Sequence, residues 1–95
     1  MRRTLLLAVA LLGYRGALAD DVTLEPGPGA DTTTAVCSAC HTSNYIVMNS
    51  PFLTADAWKV EVAKMRSAFG AAIDDATAAS IVAYLSEHYG AAPKP

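Results

Sequence analysis

Cations are scarce in this chain. Seven lysines and arginines stand against nine acids in 95 residues, a formal charge of −2. No basic face is available for nucleic acid. Cysteine and histidine number two each, and a tetrahedral zinc site needs about four such ligands. No alternating strand pattern occurs, which removes the βαβ setting of thioredoxin-like thiols. The acids are scattered, without the paired carboxylates of acid–base catalysis. The longest apolar run at the start, Leu5 to Leu12, has eight residues, well short of the ~20 that span a bilayer. A chain of 95 residues is one domain. It has no room for a complete multidomain enzyme.

What is present begins with a leader. Arg2 and Arg3 precede the apolar run, and Ala17-Leu18-Ala19 supplies small residues before Asp20 and Asp21. Residues 1–19 read as a secretory signal peptide cleaved after Ala19, so a periplasmic, exported protein is expected. The mature chain then has 76 residues. Four cations (Lys59, Lys64, Arg66 and Lys94) against nine acids leave it at −5. A domain this small rarely buries enough apolar surface to stand without a disulfide, metal or other staple.

Residues 20–30 contain two Pro-Gly pairs and no apolar period, and read as an extended arm outside the core. Residues 31–90 read as the folded domain, and 91–95, with Pro93 and Pro95, as a frayed tail. Asp31 and Thr32 to Thr34 offer caps for a first helix over residues 35–41. Pro51 is expected to keep residues 42–53 out of helical geometry. Thr54 caps a second helix, with Asp56 in its first turn, where the macrodipole favours an anion. Trp58, Val62, Met65 and Phe69 form one apolar face of that helix, and Gly70 stops it. Asp74 or Asp75 caps a third helix whose buried stripe is Ala78, Ile81, Tyr84 and Leu85, with His88 at its edge, ending at Gly90. The predicted domain is all-α, with three helices. Lys59, Lys64 and Arg66 read as a solvated face, and Tyr45 and Tyr84 as core edges with their hydroxyls outward.

Cys37-Ser38-Ala39-Cys40-His41 is a C-x-x-C-H sequence, the attachment motif for haem c. Two thiols three residues apart lie on one side of a helical turn and can add to the two vinyl groups of one porphyrin. His41 then presents its imidazole to the iron. One covalent haem would also be the staple that the small core lacks. For the sixth iron position the mature chain offers Met65, Met48 and His88. Met65 shares its helix face with Trp58, Val62 and Phe69, as a thioether ligand in an apolar pocket should. Met48 is the other thioether, seven residues after His41. Arg66 is within possible reach of a haem propionate.

The mature chain resembles small class I cytochromes c. That resemblance implies an acceptor role for Pro51, ten residues after His41, toward the second ring nitrogen of the histidine. In that family the axial methionine usually sits on the loop before the last helix; here residues 70–75 hold no Met, and Met65 lies five residues before Gly70. The stretch 37–89 is more specific. Asn44-Tyr45-Ile46, Met48 to Phe52, Trp58, Lys64-Met65, Phe69-Gly70-Ala71 and Tyr84-Leu85 resemble the haem subunit of periplasmic sulfite dehydrogenases. The resemblance implies an electron-transfer subunit without its own catalytic site. It would take single electrons from a molybdopterin-containing sulfite-oxidising subunit and pass them to a soluble cytochrome c. A free-standing electron carrier and a haem-based sensor are the alternative readings.

Overall fold

The computed structural model describes residues 22–93; the leader at 1–19 lies outside them. Four helices, not three, form the described chain: α1 (Ala30–Cys37), α2 (Asn44–Asn49), α3 (Ala55–Ser67) and α4 (Asp75–Tyr89). No strand accompanies them among the described residues, and no helix there is long and apolar enough to cross a membrane.

The two long helices start where their caps require. Thr54 accepts a hydrogen bond from the Ala57 N–H (3.3 Å), and Asp74 accepts one from the Thr77 N–H (2.7 Å). Each cap satisfies an amide that has no partner within the helix. The backbone and side-chain bonds from Thr77 hold the Asp74 carboxyl below its usual range. The α4 stripe is buried as its period implies: Ala78, Ile81, Tyr84 and Leu85 pack with Trp58 and Val62 of α3 in one core.

The extra helix and the first helix both correct the sequence expectation. Pro51 does not prevent α2, because its ring obstructs only a helix that continues through it. The helix ends at Asn49, where the Asn49 amide caps the Tyr45 carbonyl (2.8 Å). Ile46, fully buried, anchors the short segment in the core. α1 starts at Ala30 rather than 35, and its N-cap is Gly29, at φ 90° with no side-chain bond. A β-carbon at Gly29 would lie 3.0 Å from the Tyr84 Cβ and 3.2 Å from the Ser80 carbonyl oxygen. The missing side chain permits both the left-handed turn and the close packing of α1 on α4. That packing buries Ala30 and Thr33, and the Thr33 hydroxyl has no hydrogen-bond partner.

The arm is also not outside the core. Leu24 is only 5% exposed and belongs to the central cluster. Its neighbour Glu25 is held three times by α4. The Tyr84 hydroxyl donates to the Glu25 carbonyl (2.6 Å), the Glu25 N–H donates to the Tyr89 hydroxyl (2.9 Å), and His88 Nδ1 lies 3.1 Å from the Glu25 carboxylate. Tyr84 therefore points its hydroxyl inward onto the arm. Burial, with Tyr89 beside it, pushes that hydroxyl up to about 12. At the opposite end of the chain, the Ala91 N–H donates to the Leu53 carbonyl and the Trp58 indole N–H to the Tyr89 carbonyl, both at 2.8 Å.

Candidate cofactor site

α1 stops at Cys37. The Ser38 N–H caps the Thr34 carbonyl (3.1 Å), and residues 38–40 leave the helix as a turn. Cys37 is therefore the last helical residue and half-buried, whereas Cys40 lies exposed on the turn and His41 half-buried just beyond it. Both thiols are free. Burial pushes the Cys37 thiol up. This is opposite to the lowered thiol of a disulfide-exchange nucleophile.

The His41 ring is set from two sides. Nδ1 lies 3.2 Å from the Thr42 carbonyl oxygen, and the ring packs on Tyr45 with centroids 5.1 Å apart at 45°. A carbonyl can only accept, so Nδ1 is the donor in this contact, and in the neutral ring that leaves Nε2 as the nitrogen with a lone pair.

α3 supplies the facing wall. After the buried Trp58 and Val62, Met65 is half-buried, and Phe69 beyond the helix end is 69% exposed. Gly70, at φ 71°, reverses the chain, and the Ala71 N–H closes the turn on the Met65 carbonyl (2.9 Å). The returning loop brings Ala71 and Ile73 to the same cavity as Met65.

Between these walls lies a cavity of about 510 Å³, within the usual size of small-molecule and cofactor sites. Val36, Cys37, Cys40, His41 and Tyr45 line one side; Lys64, Met65, Phe69, Ala71 and Ile73 line the other. Four of the five residues singled out from the sequence thus meet on one cavity. Pro51 does not line it. That residue is exposed in the turn after α2, and the His41 ring nitrogen faces Thr42 instead. Met48 is 71% exposed and also off the cavity. His88 is at the far end of α4 with Glu25, and Arg66 pairs with Asp75 at 2.7 Å.

Two polar lining residues were not expected. Lys64, rather than Arg66, brings a cation to the cavity, and Tyr45 turns its hydroxyl onto Glu61 of α3. Glu61 accepts from Tyr45 through Oε2 (3.0 Å) and from the Lys64 ammonium through Oε1 (2.9 Å). The bond from Lys64 holds the Glu61 carboxyl below its usual range. Burial, then the bond to Glu61, pushes the Tyr45 hydroxyl up. The spacing of Tyr45, four residues after His41, is the only local signal for its place beside that ring.

No protein-family model matches the chain, and no curated protein matches it.

Proposed function

We propose that this protein is an exported c-type cytochrome that relays single electrons, with one haem c held covalently by Cys37 and Cys40 and ligated by His41 and Met65. The observation that carries this reading is the gathering of two thiols, an imidazole and a thioether on one apolar cavity. That donor set fits a His/Met-ligated haem and is too soft for a hard cation. A haem bound here would supply a one-electron Fe(III)/Fe(II) couple.

The chain's own residues prepare the site for it. Each thiol would add across one vinyl C=C, forming a C–S bond while its hydrogen passes to the adjacent carbon, so the attachment needs no oxidant. His41 offers Nε2 because its Nδ1 proton is engaged by Thr42. Met65 contributes a soft ligand that favours the reduced iron and raises the potential. Its position in the cavity wall favours a filled sixth position over the open one of a sensor. Val36, Ala71 and Ile73 would give the haem an apolar lining.

Within this reading, the electron source is a molybdopterin-containing sulfite-oxidising subunit and the acceptor a soluble cytochrome c, supported by the resemblance over residues 37–89. A mature charge of −5 suits a basic partner surface, with an encounter rate that falls as salt rises.

Two experiments test the proposal in order. The mature protein should weigh one haem more than its polypeptide and keep it through acid-acetone extraction. The Cys37→Ser and Cys40→Ser double variant should lose it, and retention would overturn the attachment. Rapid mixing with sulfite should then reduce the haem only when a co-purifying subunit is present. A protein that purifies alone and ignores sulfite would be a free-standing carrier.

A further inference from the structure

The two cavity walls belong to different parts of the chain. One follows α1 and carries His41; the other is the end of α3 and carries Met65. Both residues can act on one iron only if the walls keep a fixed separation. The local contact of His41, to the carbonyl of the next residue, does not reach α3. The core beneath the cavity holds α3 through Trp58 and Val62, both on the N-terminal side of Met65.

A side-chain chain does cross between the walls. Tyr45, ring against His41, bonds to Glu61; Glu61 bonds to Lys64, the neighbour of Met65. Both oxygens of the half-buried Glu61 carboxylate are used, and its charge strengthens both bonds. Tyr45 and Lys64 themselves line the cavity, one from α2 and the other from α3. A surface ion pair at this spacing contributes little alone. Its significance here is the third member, which converts a pair within α3 into a tie to α2.

We propose that Tyr45, Glu61 and Lys64 form a positioning tie that sets the span between His41 and Met65, so that both ligate the same iron. The proposal rests on the haem reading. Tyr45 is a positioning residue: its ring orients the imidazole, and its hydroxyl fixes that orientation relative to α3. Loss of the hydroxyl frees the wall and weakens the longer-reaching ligand, the thioether.

The test uses the holoprotein. The oxidised wild type should show one covalent haem and the weak near-infrared band of Met–iron(III) ligation. Tyr45→Phe keeps the aromatic ring and removes the bond; Glu61→Ala removes the shared acceptor; Glu61→Gln keeps an acceptor for Tyr45. Tyr45→Phe and Glu61→Ala should diminish the band and bind cyanide about tenfold more tightly, the factor equivalent to about 1.4 kcal/mol. Haem content and far-ultraviolet circular dichroism should stay unchanged, and Glu61→Gln should restore most of the band. An undiminished band and unchanged cyanide affinity in both variants, beside a wild type that has the band, would overturn the tie alone. A wild type without covalent haem or without the band would overturn the haem reading and the tie with it.

Discussion

The two halves of α3 meet different surroundings. Trp58 and Val62 enter a closed core with Ile81, Tyr84 and Leu85; two turns further on, Met65 and Phe69 face a cavity. The first half is satisfied by the chain itself, down to the indole N–H bonded to the Tyr89 carbonyl. The second half, with Phe69 just beyond its last turn, leaves apolar surface on the cavity, and Phe69 is as open to solvent as a residue chosen for polarity would be. A single helix of regular period therefore shows that apolar pattern alone does not specify closure: the period continues from Trp58 to Phe69, and the packing does not.

The contrast can be broken most severely at Trp58. Trp58→Ala removes the largest fully buried side chain and its hydrogen bond. It should cost about 3–5 kcal/mol in urea unfolding, most of what a domain of this size possesses.

A smaller loss is expected at Tyr84. Tyr84→Phe deletes the bond to the Glu25 carbonyl and should cost about 1 kcal/mol at neutral pH. The same hydroxyl predicts an alkaline limb. Its folded value near 12 lies above the ordinary 10.0, so the unfolded chain releases the proton first. Stability is then full below pH 10 and falls as pH rises toward 12. The variant should lose that slope, and an unaltered alkaline melting profile would show that another group causes it.

At Thr33, replacement should sharpen the contrast rather than blunt it. Thr33→Val removes a hydroxyl that is buried without a partner, and should raise stability by about 1 kcal/mol in the same assay. The smallest effect is expected on the cavity side. In the chain without haem, Phe69→Ser changes a residue that is already largely exposed, and unfolding should move by no more than about 0.5 kcal/mol. A cost like that of Trp58→Ala would mean that Phe69 is covered in solution.

What could be read from the sequence was what depends on near neighbours. Thr54 and Asp74 cap their helices through amides three residues away, and the α4 stripe follows from its period alone. The motif at Cys37, Cys40 and His41 is equally local, and Met65 comes to the same cavity by continuing the face begun by Trp58. The errors involve distant partners. α2 exists because Ile46 has a core to enter, which no propensity of residues 44–49 reveals. Leu24 and Glu25 looked like linker because their partners stand about 60 residues on. Tyr45 and Glu61 are sixteen residues apart with no shared period, so their bond could be seen only in three dimensions. Pro51 is a different case: its place beside His41 was expected from resemblance alone, and the ring nitrogen lies against the carbonyl of the next residue.

The grip of α4 on Glu25 also orders the assembly of the molecule in time. A chain emerges from its N-terminus, so the arm appears first, and Tyr84, His88 and Tyr89, its three partners, appear last. Until then the arm has nothing to hold. Closing a loop of this length costs more entropy than closing any helical turn, and contacts of long sequence separation form late. The thiol-bearing segment, emerging in between, is complete while the fold around it is still open. Cys37 and Cys40 are thus in place before α4 takes hold of the arm.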